Sequence, residues 1–256
     1  MTLPIHKLGK LAPRHDKRTL RLERFFTADL APAPAELLPP SITFPIDGND
    51  RIGDCGFVGQ AHAEQFVSTM QLDPVILSEV DVIAGYSEVT GYNPTTGDND
   101  NGVVLLDALN WWRTNGIAGH KCDAFASVHP TNIEHIKQAI LLGGFVYAGI
   151  ELPIAWQGET KWDVPHLNFF LRFLHARNTD NDPGSWGGHC VVFIGYDAEG
   201  VFVSTWDQVL KLTWAALQVY CSETYFVILP EWFKDNKDAR GIDRAAILAS
   251  VAAITA

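Results

Sequence analysis

Positive charge, cysteine and methionine are scarce in this chain, and long apolar runs are missing. Nineteen Lys and Arg stand against thirty Asp and Glu, a net charge of −11 over 256 residues. Phosphate backbones demand a basic face, so no nucleic-acid partner is expected. No stretch approaches the ~20 apolar residues that span a bilayer, and no apolar leader core follows the first charges. The expectation is a cytoplasmic protein without a membrane partner. Four cysteines, at 55, 122, 190 and 221, are too few and too scattered for a disulfide framework and read as reduced thiols.

What charge there is divides unevenly. Residues 1–24 carry Lys7, Lys10, Arg14, Lys17, Arg18, Arg21 and Arg24 against Asp16 and Glu23, a net of +5, which leaves −16 for the rest. A basic arm beside an acidic body is expected to wrap back onto it, through groups such as Lys17, Arg18 and Arg21, or to reach a partner. The following segment, Ala31 to Pro45 (APAPAELLPPSITFP), is proline-punctuated and is expected to run extended over the surface. Residues 1–40 are thus an arm.

Helical spacing begins at GDCGFVGQAHAEQFVSTM, where Asp54 stands as an N-cap and Cys55 in the first turn. Further helices are predicted over 77–90, 103–115 and 132–142. From Phe145 the pattern changes to short β-branched and aromatic runs: FVYAGIEL, HCVVFIGYD, VFVSTW and TYFVILP. The fold class is therefore α+β, with a helical half over about 41–143 and an antiparallel strand half over about 144–232 meeting along a cleft. The tail, 233–256, ends in AAILASVAAITA, apolar on every side of a helix, so it is expected to bury against the body or a second copy of the chain.

Chemistry centres on Cys55. A thiol attacks as thiolate, and a helix N-terminus and a nearby imidazole both favour the anion. Asp54 opposes it unless its charge is spent on capping the amides of Gly56 or Phe57. Among nine histidines, His189 in SWGGHCVVFIGYD is the best base, with two glycines before it and a buried strand after it. Alternation turns Cys190 to the opposite face from His189, into the core.

These segments resemble, in order over about residues 40–230, those of the papain-like cysteine peptidases. NDRIGDCGFVGQAHA is similar to their active-site segment, and NDNGVVLLDALNWWRTNGI to their glycine-rich substrate loop and the helix after it. HIKQAILLGGFVYAGIEL resembles the helix and strand before the histidine, and GGHCVVFIGYD with VFVSTW the histidine strand and its successor. NDxxGDC and WGGH also resemble features of a group of bacterial and phage proteins. The resemblance implies a helical lobe and an antiparallel, barrel-like sheet lobe, with Cys55 as nucleophile and His189 as base. It puts Asn49, one methylene shorter than the family's glutamine, in the oxyanion hole with the Cys55 amide. Asn101, Gly102, Trp186, Gly187, Gly188 and Trp206 would line the substrate cleft. The departure is behind His189, where the family's asparagine is replaced by Ser204. Asp207 or Asp197 can orient the ring instead.

Peptide or protein substrates are implied, hydrolysed through an acyl-enzyme, without cofactor or metal. Deamidation or transglutaminase-like acyl transfer would use the same machinery, and a papain fold that binds without reacting is the other reading. Plainer roles stand beside these. Cys55 and His189 can be core residues, Asn49 can hold the turn before the helix, and His62 can simply pack. His120 with Cys122 lacks a matching second pair for zinc, and GDNDNG (97–102) lacks the rest of a calcium loop.

Overall fold

The computed structural model describes residues 6–24, 32–165, 179–238 and 245. The apolar tail helix and the oligomer contact expected of it fall outside these residues. Four helices occupy the first part: α1 (Cys55–Met70), α2 (Glu79–Thr90), α3 (Leu105–Thr114) and α4 (Ile133–Gly143). Ser78 and Asn132 cap α2 and α4 by accepting the amides of Asp81 and His135.

Seven strands form one sheet: β1 (Ala124–Val128), β2 (Val146–Leu152), β3 (Lys161–Trp162), β4 (Gly187–Tyr196), β5 (Gly200–Thr205), β6 (Gln208–Thr213) and β7 (Cys221–Ile228). Their order is β1-β7-β2-β4-β5-β6-β3, antiparallel except for β3 on β6. The sheet is open at its edges rather than a closed barrel. A separate hairpin, β8 (Phe233–Lys234) with β9 (Lys237–Asp238), follows. The expected division at 143/144 is not clean. β1 comes from the helical half, and a short helix, α5 (Trp214–Tyr220), lies in the strand half.

Period-two alternation assigns the sheet's two faces. Val146, Ala148, Ile150, Val191 and Phe193 enter one core with Ile136 and Ile140 of α4 and Leu217 of α5. Tyr147, Cys190, Val192 and Ile194 enter the other, with Cys55, Ala63 and Phe66 of α1 and Leu105 and Leu109 of α3. Helix α1 is buried on all sides, so its hydrophobic residues do not form the single stripe of a surface helix. Cys55 begins it, packed against β4.

The arm wraps back, through different residues from those expected. Arg14 pairs with Asp107 and Lys7 with Asp100 at 3.3 Å, whereas Arg18 pairs with Asp16 and Arg21 with Glu23 inside the arm. Arg21 also adds a parallel bridge to β1 at Ser127. The proline-rich stretch is extended, and Leu37 bridges Tyr196, but Phe44 inserts into the core and stacks on His62. That segment is therefore partly structural core.

Candidate functional site

Cys55 stands as the first residue of α1 and is 1% exposed. Its Sγ accepts a 3.3 Å hydrogen bond from the backbone N–H of Cys190, the residue after His189. Folding thus places the thiol on the strand that carries the histidine, while the Cys190 side chain turns into the core against Gly59. His189 is equally buried, and its Nε2 lies 2.7 Å from Thr205 Oγ1. Its Nδ1 makes no hydrogen bond.

Thr205 takes the place in which the sequence put Ser204. Successive β5 side chains point to opposite faces. Ser204 Oγ meets His62 Nδ1 at 2.7 Å, on the α1 side, and the other His62 nitrogen, Nε2, meets the Pro45 carbonyl. Asp207 is exposed in the β5–β6 turn, and Asp197 is spent on Lys211 and two backbone amides. Sequence spacing to Trp206 could not separate Ser204 from Thr205; only the strand's facing does.

Trp206 stacks on the His189 ring at 4.4 Å and 18°. Its φ of +47° starts a two-residue hairpin turn, a position that glycine usually fills. His6 stacks on the indole at 4.1 Å, and Trp186 lies 5.8 Å away.

Asn49, 1% exposed, donates through Nδ2 to the Ile52 carbonyl at 3.0 Å and to Asp54 Oδ1 at 3.2 Å, which braces the turn before α1. Asp54 occupies the N-cap position, but its side chain caps nothing, contrary to expectation; only its carbonyl accepts from Phe57 and Val58. Burial pushes its carboxyl well above the usual range, and the Asn49 amide opposes this only in part.

The cleft itself is filled by the arm. Val103 N–H donates to the Gly9 carbonyl at 2.7 Å, Leu11 N–H to the Val103 carbonyl at 3.0 Å, and Lys10 N–H to the Gly188 carbonyl at 3.0 Å. A Cβ on Gly188 would sit 2.3 Å from the Lys10 carbonyl oxygen, and one on Gly102, at φ +78°, 2.2 Å from that of Gly9. Both must be glycine for a backbone to pass here. Asp100 holds this wall together, accepting from Gly53 N–H and Tyr86 Oη at 2.9 Å each, while Asn101 stays exposed. Nothing in the sequence marked Asp100.

Lys10 also escaped notice as more than arm charge. Its side chain is wholly buried, its stem crosses Gly149, and its Nζ lies 2.7 Å from Glu151 Oε1 and 3.5 Å from Glu223 Oε1. Burial pushes the Cys55 thiol up to about 12, the Cys190 amide opposing it, and burial pushes His189 down to about 3. Under the arm, thiol and imidazole are both neutral.

Two solved structures share this architecture. Xylellain, a cysteine protease from Xylella fastidiosa, superposes with a TM-score of 0.64 at 14% identity, over 90% of this chain and 98% of its own. The fold is that of the papain-like cysteine proteases. The cysteine protease and lectin-like domains of Cwp84, a surface-layer-associated protein of Clostridium difficile, match with a TM-score of 0.57 at 12% identity, over 91% of this chain and 58% of that one. No family model and no curated protein matches the chain. Among the described residues no helix is long and apolar enough to cross a membrane.

Proposed function

We propose that the chain is a papain-like cysteine peptidase held latent by its own N-terminal arm. The observation that carries this is the Cys55 thiol at the start of α1, hydrogen-bonded to the strand of His189, with arm backbone laid across both. When the arm leaves, water returns, desolvation falls, and the thiolate–imidazolium pair becomes accessible. Nδ1 of His189, free of other bonds, takes the Cys55 proton, while Thr205 holds the ring through Nε2. The thiolate attacks a peptide carbonyl, and the oxyanion forms beside the Cys55 amide, while the Asn49 amide stays on Ile52 and Asp54. His189 then protonates the leaving amine, and water hydrolyses the acyl-enzyme.

The cleft wall of Gly102–Val103 and the Gly188 carbonyl pairs with extended backbone, as it does with the arm, which suits a peptide substrate. The pocket that Lys10 fills, floored by Gly149 and walled by Glu151 and Glu223, suits a Lys or Arg side chain of that substrate. The test is labelling of Cys55 in the full-length protein by an epoxysuccinyl probe, together with cleavage of fluorogenic peptides differing at one position (Lys, Leu or Glu). Labelling that depends on His189 and cleavage that favours Lys are expected. A His189→Ala variant labelled as fast as wild type would remove the catalytic reading and leave a papain fold that only binds. Cleavage indifferent to Lys would remove the assignment of the pocket alone.

A further inference from the structure

Away from the cleft, three side chains from three separate segments converge without a role in the chemistry above. Glu64 projects from α1, nine residues beyond Cys55 and so roughly 13 Å along the helix. His120 comes from the loop before β1, and Glu231 from the turn after β7. One donor atom from each lies within 4.8 Å of the others. His120 Nδ1 is 2.9 Å from Glu231 Oε1 and 3.7 Å from Glu64 Oε1.

The Glu64 side chain is 1% exposed, and no N–H or hydroxyl donor reaches either of its oxygens; the polar neighbour within hydrogen-bond reach is the Glu231 carboxyl. Glu231 Oε2 is likewise unpartnered. Two carboxylates this close, one fully buried and facing no Lys or Arg, repel each other and pay desolvation in full. A divalent cation would offset both charges and occupy the orphaned oxygens.

The geometry points to a transition-metal site of one imidazole and two carboxylates, Glu64, His120 and Glu231, that clamps the middle of α1 to the adjoining ends of β1 and β7. In tetrahedral zinc, with metal–ligand bonds near 2.1 Å, ligand atoms stand about 3.4 Å apart. The two distances from His120 Nδ1 bracket that value. The mixed nitrogen and oxygen set suits a borderline ion such as Zn²⁺ rather than calcium or magnesium. His120 and Glu231 are 31% and 23% exposed, which leaves an entry path and room for water to complete the coordination. Cys122, whose pairing with His120 was set aside as a zinc site on the sequence, does not belong to the group.

The experiment uses the full chain carrying Cys55→Ser, so that the reactive thiol does not take the metal, stripped with chelator and then given Zn²⁺ in a weakly competing buffer. Bound zinc after gel filtration should reach one per chain, with a melting temperature raised by several degrees. Glu64→Gln, isosteric and neutral, should weaken binding at least tenfold and abolish the thermal shift while folding normally, and His120→Ala should do the same. No retained zinc, or uptake and shift unchanged in Glu64→Gln, would overturn the site and leave Glu64 as a buried proton carrier. None of these results depends on peptidase activity.

Discussion

Replacing Lys10 by Met tests whether the arm gates the thiol. Methionine keeps an apolar stem over Gly149 but removes the ammonium that meets Glu151 at 2.7 Å and Glu223 at 3.5 Å. The three backbone bonds of residues 9–11 to Val103 and Gly188 remain. A charge-assisted hydrogen bond contributes about 1.5–3 kcal/mol, and Glu151, 28% exposed, is partly screened, so the docked arm should lose about 2 kcal/mol. That multiplies the population with the arm open by roughly thirtyfold. If opening limits access to Cys55, its alkylation by iodoacetamide should quicken by the same factor. Arg14→Met is the control. Its ion pair with Asp107 is exposed, so its loss should cost under about 1 kcal/mol and quicken alkylation fivefold at most. A Lys10→Met rate within twofold of wild type, with an unchanged melting temperature, would refute gating by the buried ion pair.

Two further outcomes follow from the strand that holds His189. Thr205→Val should lower kcat by about tenfold, the worth of one hydrogen bond that keeps the ring in place, with KM little changed and Thr205→Ser restoring it. Ser204→Ala should leave kcat alone and cost roughly 1–2 kcal/mol of stability in denaturant titration, because it unpairs buried His62. Burial holds His62 down to about 4, so the folded protein keeps it neutral while the unfolded chain protonates near 6.5. Its contribution to stability is complete above pH 6.5 and is lost as pH falls toward 4, by up to about 1.4 kcal/mol per pH unit. Buried acids such as Asp47, raised to about 6, act in the opposite sense, so the measurement is the stability difference between wild type and His62→Gln across that window. A difference that stays flat from pH 6.5 to 4 would mean that His62 is charged in the native state.

Much of the architecture was legible because local patterns carry it. Helices α1 to α4 and strands β2, β4, β5 and β7 follow from periods of 3.6 and 2 and from their caps, and they lie within a few residues of their predicted places. β1, β6 and α5 were missed, being short and defined more by their neighbours than by their own pattern. The basic start of the chain suggested either folding back onto the acidic body or reaching a partner, since long-range attraction depends on net charge. It did not announce where: Lys10 buries between Glu151 and Glu223, 141 and 213 residues away in the sequence.

Cys55 and His189 could be singled out from the sequence because a helix start and a glycine-flanked strand are local signals. Their immediate surroundings could not. Whether Ser204 or Thr205 meets the imidazole depends on which face of β5 turns toward it, and whether Asp54 caps α1 depends on Asn49 reaching its carboxyl first. The protonation of the thiol and the imidazole depends on burial beneath a segment about 46 residues upstream of the one and about 179 upstream of the other. Residue types and spacings determine which groups are available to react. Only the packed chain, by excluding water and choosing partners, determines their charge, their access and their company.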